Sequence, residues 1–64
     1  MSTDSRRDYH TLRAREELDL AYRAESFSAM SAHMRLSAAH MAELRKLPAA
    51  APVAAAAAAA AAAA

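Results

Sequence analysis

The sequence predicts an all-α protein, a two-helix antiparallel hairpin with an alanine-rich C-terminal extension. Between Phe27 and Leu47, apolar residues recur at alternating steps of three and four, the spacing of one helix face. A second amphipathic segment precedes them, and the chain has no glycine and no proline before Pro48. Because only that preceding segment can cover the apolar stripe, the simplest arrangement packs two helices against each other.

The first predicted helix, helix A, occupies about residues 8–25 and follows a polar segment, residues 1–7, that we expect to be flexible. Ser5 and Asp8 resemble a capping box with Asp in place of Glu, which predicts the helix start. Charged residues four apart can pair along this helix. The pairs are Arg13 with Glu17, Arg15 with Asp19, and Asp19 with Arg23.

The second predicted helix, helix B, occupies about residues 27–47. Ser26 or Ser28 can cap a new helix, since serine hydroxyls satisfy free backbone N–H groups. Arg45 and Lys46 suit the negative end of the helix dipole, and Pro48 ends the helix. Without an earlier glycine or proline, one continuous helix over residues 8–47 is the alternative.

Helix B carries what we call the methionine stripe, predicted to face helix A: Phe27, Met30, Met34, Ser37, Met41 and Leu44. A hairpin this small leaves part of its apolar surface uncovered, and methionine surfaces adapt readily to binding partners. The predicted partner-binding residues are therefore Phe27, Met30, Met34, Leu36, Met41, Leu44 and Leu47.

The tail, residues 48–64, is proline and then almost pure alanine. It reaches the ~17 to 25 residues needed to span a bilayer, with Arg45 and Lys46 beside it on the side that would be cytoplasmic. A third, membrane-inserted helix is therefore one interpretation. In another, Ala54 to Ala64 are placeholders for residues of other types and carry no chemical information.

Composition excludes some kinds of site and disfavours others. The 64 residues include eight basic and seven acidic side chains, which are interleaved, so nucleic acid and anionic lipid surfaces are disfavoured as partners. With no cysteine, neither a disulfide nor a thiolate metal site can form. The polar N-terminus lacks the apolar segment of a secretory signal, which predicts a cytoplasmic location. The cytoplasmic face of the inner membrane is the alternative.

Three histidines and one serine are the candidates for chemistry. His33 and His40 share a helix face but are about 10 Å apart along it, too far to share a metal without His10 and an acid such as Glu43. Ser37 lies within one turn of both, yet a hydrolase also needs an oxyanion hole and a substrate cleft. We predict no catalytic, cofactor-binding or metal-binding residue, and no enzyme activity.

Two segments carry a resemblance to known proteins, RAREELDLAYRA and SAHMRLSAAH. They resemble a group of short, uncharacterised alphaproteobacterial helical-hairpin proteins that are common in sphingomonads. The resemblance implies a helical hairpin and no assigned activity. The matching positions are Arg13, Ala14, Glu17, Ala21, Ala24, His33, Leu36 and Ser37.

Together these observations predict a small accessory or interaction subunit of a larger protein assembly, which binds through an apolar, methionine-rich helix face. The first alternative is a membrane-anchored accessory subunit of a photosynthetic or respiratory membrane complex, with the tail as its anchor. A nucleic-acid-associated regulator is the second alternative.

Overall fold

A computed structural model describes residues 2–48 and residue 61, and within them it contains two helices and no strand. Helix α1 spans Thr3–Arg23 and helix α2 spans Phe27–Arg45. The two pack against each other as an antiparallel hairpin, so the predicted all-α hairpin is confirmed. The predicted roles of residues 49–60 and 62–64 as placeholders or as a membrane anchor lie outside the described residues.

Helix α1 begins at Thr3, earlier than the predicted start near Asp8. Its N-cap is Ser2, whose hydroxyl accepts a hydrogen bond from the backbone N–H of Ser5 at 3.1 Å. The prediction that Ser5 caps the helix is wrong because Ser2 satisfies the first free N–H groups. Residues 3–7, expected to be flexible, therefore belong to the helix.

The break between the helices lies at Ala24, Glu25 and Ser26, as the serine chemistry predicted. Ser26 is extended, and its hydroxyl accepts from the backbone N–H of Ala29 at 3.0 Å. With Ser26 as the N-cap, α2 starts at the next residue, Phe27. The alternative of one continuous helix is therefore wrong. Helix α2 ends at Arg45, and backbone N–H groups of Lys46 and Leu47 close its last turn.

The line of contact on α2 is displaced from the methionine stripe. Met30, Ser37 and Leu44 are buried or half-buried, but Phe27, Met34 and Met41 are exposed, so the stripe was wrongly predicted to face helix A as a whole. Small side chains on α1, Ala14 and Ala21, form the buried apolar core. They leave room between the helices for polar side chains of α2, which displace the methionines to one side.

The predicted ion pairs along α1 form in two of three cases. Arg13 Nη2 lies 2.7 Å from Glu17 Oε1, and Arg23 Nη2 lies 2.8 Å from Asp19 Oδ2. The predicted pair of Arg15 with Asp19 is not formed in the described part of the chain. Asp19 is engaged by Arg23, which leaves Arg15 without that partner.

Among residues 2–48 and residue 61, no helix combines the length and the apolar character that crossing a membrane requires.

Candidate functional site

Three side-chain hydrogen bonds join α1 to α2 along what we call the polar seam. His10 and His40 meet at the open end, the Ser37 hydroxyl bonds the carbonyl of Ala14 in the middle, and His33 bonds Glu17 nearer the connecting loop. From the open end to the loop, residue numbers rise along α1 and fall along α2, so these three bonds fix the antiparallel register. Polar contacts, rather than methionines, therefore lie between the helices.

Glu17 is the buried charge of the seam, with 4% of the residue exposed. Its Oε2 accepts from His33 Nδ1 at 2.6 Å, and its Oε1 accepts from Arg13 Nη2 at 2.7 Å. Arg13 also donates to Glu16 Oε2 through Nη1. Both carboxylate oxygens of Glu17 are thus occupied by N–H donors, as a buried carboxylate requires.

These contacts change the acidity of the groups that make them. The hydrogen bond from His33 holds the pKa of Glu17 below its ordinary value of 4.5, and Arg13 adds to the effect against the cost of burial. The pKa of Arg13 is raised by its bonds to Glu16 and Glu17. Glu17 therefore stays ionised to lower pH than a free glutamate.

Ser37 holds the helices together rather than standing beside a base. It is 1% exposed, and its Oγ donates to the Ala14 carbonyl at 2.9 Å. That hydroxyl hydrogen is therefore directed at α1 and not at His33 or His40. The nucleophile and base considered from the sequence are not brought into contact as a pair.

From the sequence, His33 and His40 were considered as a pair that shares one metal site. The structure instead gives each of them a different partner on α1. His33 bonds Glu17, whereas His10 Nδ1 lies 2.9 Å from His40 Nδ1. The Tyr9 ring packs edge-on against both imidazoles of this pair, with ring centroids 5.0 Å from His10 and 5.9 Å from His40. In residues 2–48 and at residue 61, no three His, Cys, Asp or Glu side chains are grouped to hold a metal ion.

One lateral side of the hairpin carries what we call the apolar face: Leu18 and Tyr22 from α1 with Phe27, Met34 and Met41 from α2. Phe27, Met34 and Met41 follow one another at seven-residue steps, so they share one side of α2. Their exposed fractions are 78%, 50% and 37%, and that of Tyr22 is 86%.

A groove of about 360 Å³ opens on this face near the connecting loop. Leu18, Tyr22 and Met34 line it from the apolar face, with Ala21, Ala24 and Met30 at its floor. Its lining contains no charged side chain. The groove is therefore a surface whose exposure to water is unfavourable.

The structure separates the predicted partner-binding residues into groups. Phe27, Met34 and Met41 lie on the apolar face, while Leu36 is 48% exposed and lies elsewhere on α2. Met30, Leu44 and Leu47 are half-buried. Sequence reasoning did not select Leu18 and Tyr22 as partner-binding residues, although their four-residue spacing on helix A was a usable signal.

No protein-family model matches the chain, and comparisons with curated proteins and with solved structures also find no match.

Proposed function

We propose that this chain is a small, non-catalytic interaction subunit that binds a protein partner in a larger assembly through its apolar face. The observation that carries the proposal is the exposure of Tyr22, Phe27, Met34 and Met41 on one side of so small a hairpin. Exposed apolar side chains grouped in this way are typical of binding surfaces.

The chemistry of the apolar face favours a protein partner of a particular kind. Tyrosine and phenylalanine supply large, stiff contact areas, and methionine side chains adjust to the shape of what they contact. The uncharged groove suits an amphipathic helix, whose apolar residues at helical spacing would fill it. We therefore propose an amphipathic helix of another protein as the segment that the groove receives.

Site-specific crosslinking tests the proposal in cells that produce the chain. A photoreactive amino acid replaces Met34, and in a second strain it replaces Arg35, the next residue of α2, which is exposed but carries charge. We expect one defined protein to be crosslinked from position 34 and not from position 35. Equal crosslinking from both positions, or none from position 34, would contradict the proposal.

The captured protein is then purified and its affinity for the chain measured by titration calorimetry. Met34→Asp places a charge in the apolar groove and should weaken binding at least ~10-fold, as expected for a central apolar contact. Ala32→Asp introduces the same charge at an exposed position of the same helix and should leave the affinity within about a factor of two. Equal losses for the two variants would reject this face as the binding surface.

A further inference from the structure

The pairing of His10 with His40 joins the open end of the hairpin, far along the chain from the apolar groove. The two Nδ1 atoms are 2.9 Å apart, and the ring centroids are 5.2 Å apart. Both residues are half-buried, so water reaches the pair from one side. Tyr9 packs edge-on against both rings and restricts their orientation.

The two nitrogens are close enough to bind one metal ion. With metal–nitrogen bonds of ~2.0 Å, two ligand nitrogens are separated by ~2.8 Å at a right angle and by ~3.3 Å in a tetrahedral site. Right angles between neighbouring ligands are characteristic of square-planar and tetragonal Cu²⁺ and Ni²⁺ sites with nitrogen and oxygen ligands. The observed 2.9 Å is the length of a hydrogen bond between the rings, so it shows that the two nitrogens lie close enough to share one ion, and Cu²⁺ heads the affinity order of divalent ions at such a site.

The charges around the pair are mixed, with one acid close to it. Glu43 lies one helical turn beyond His40, and its pKa is lowered first by its bond to Lys46 and additionally by positive charge on His10 and His40. On α1, Arg7 lies one turn before His10, but its guanidinium pairs with Asp4 and donates to the carbonyl of Pro48. Because Glu43 is already paired with Lys46, the two imidazole nitrogens rather than this carboxylate are the ligands that the site offers a cation.

We propose that His10 and His40 form a binding site for a Cu²⁺ or Ni²⁺ ion, which clamps α1 to α2 at the open end of the hairpin. The ion takes one lone pair from each Nδ1, so both rings adopt the tautomer with hydrogen on Nε2. The ion displaces the hydrogen bond between the two rings. Since the described residues offer no set of three protein ligands, water fills the remaining positions.

This binding couples to folding because the two ligands come from different helices. An ion that binds the folded hairpin and not the unfolded chain stabilises the hairpin by mass action. With free Cu²⁺ at ~10 times its dissociation constant, the midpoint of thermal unfolding should rise by about 5 °C or more for a chain of this size. The measurement is circular dichroism of the full chain near pH ~7.5, with Cu²⁺ and then with excess chelator.

Three matched variants distinguish the site from general copper binding by histidine, because each retains two of the three histidines. His10→Ala and His40→Ala should abolish the copper-dependent rise, whereas His33→Ala should preserve it. Since His10→Ala and His40→Ala also remove the ring-to-ring hydrogen bond, the quantity compared is the shift caused by copper in each variant. Equal loss in all three variants, or no shift in the unaltered chain, would overturn the proposal.

A second measurement reads the copper ligands directly instead of through a change in stability. Electron paramagnetic resonance of bound Cu²⁺ should show coupling to two imidazole nitrogens in the unaltered chain and in His33→Ala. In His10→Ala and in His40→Ala the two-nitrogen pattern should be lost. The same two-nitrogen pattern in every variant would show that copper binds elsewhere and would likewise overturn the proposal.

Discussion

Glu17 lies between the two helices with both carboxylate oxygens bonded, one to His33 and one to Arg13. A buried carboxylate without such donors would be strongly unfavourable, whereas two N–H donors compensate much of the lost hydration. The bond to His33 also connects α2 to α1. The ionisation of this single group is therefore tied to the packing of the hairpin.

The first prediction concerns stability at acid pH. The folded pKa of Glu17 lies below its ordinary value of 4.5, so the folded state is favoured by its ionisation above that pH. This contribution should be lost as pH falls from about 4.5 through the lower folded pKa, where the carboxylate becomes protonated in both states. Urea unfolding at a series of pH values, at one fixed protein concentration high enough for the helices to form, should show stability falling in this window.

Two glutamine variants test whether Glu17 is the source of that pH dependence. Glu17→Gln should reduce stability near neutral pH and flatten its decline in acid, because it removes the group with the lowered pKa. Glu16→Gln alters a neighbouring carboxylate that also pairs with Arg13 but is more exposed, and it should retain most of the decline. If both variants keep the full acid dependence, Glu17 is not its source.

The second prediction concerns Ser37, whose hydroxyl donates to the Ala14 carbonyl. Ser37→Ala removes this bond and should lower the free energy of unfolding by about 1 kcal/mol relative to the control variant. That control is Ser28→Ala, an exposed serine in the first turn of the same helix. Equal stabilities of the two variants in urea unfolding would show that the Ser37 bond contributes nothing net.

The packing of the two helices depends on small side chains on α1. Ala14 and Ala21 are the buried apolar residues of the described chain, and each lies one helical turn from Glu17 along α1. With no bulky side chain at these positions, the helices approach closely enough for Ser37 Oγ to contact the backbone of α1. Larger residues there would separate the helices.

The third prediction tests this close approach. Ala21→Leu inserts a larger side chain between the helices and should destabilise the hairpin by about 1 to 3 kcal/mol, since packed interiors tolerate added volume poorly. Ala39→Leu makes the same substitution at an exposed position of α2 and should change stability by less than ~0.5 kcal/mol. If the Ala21 variant proves as stable as the Ala39 variant, the helices are not held at close contact there.

The helices were predictable because local signals decide them. The capping chemistry of Ser26 or Ser28 located the break, and helical spacing identified both segments as amphipathic. The N-terminal limit was missed because Ser2 and Ser5 are both good capping residues and only one can start the helix. Local sequence does not determine which serine accepts the bond when the residues between them can also be helical.

The side of α2 that contacts α1 was not predictable from the spacing of apolar residues. That spacing selects the stripe that includes Ser37, but it leaves out His33 and His40, polar residues normally assigned to the solvent side. Their placement inside depends on partners more than ten residues away in sequence, Glu17 for His33 and His10 for His40. Such pairing becomes visible only when the register of the two helices is known.

The hairpin as a whole has little buried apolar surface. Its buried residues within the described chain are Ala14, Glu17, Ala21 and Ser37, of which only the two alanines are apolar. Domains this small seldom hold a fold on a hydrophobic core alone, and no disulfide supplements it here. We therefore expect the hairpin to gain stability by covering a surface that it leaves open when alone.

The last prediction follows from this small amount of buried apolar surface. Alone at low micromolar concentration, the chain should be largely unfolded or self-associated, so its helicity should rise with protein concentration. The apolar face is the surface available for association, since Met34 and Met41 are exposed there. The double variant Met34→Asp, Met41→Asp should therefore lose the concentration dependence of its circular dichroism and sediment as a monomer.

The matched double variant Ala32→Asp, Ala39→Asp has the same seven-residue spacing on another exposed side of α2 and should keep that dependence. A cooperative melt of the unaltered chain that is independent of concentration would instead show that the polar seam holds the hairpin without a partner.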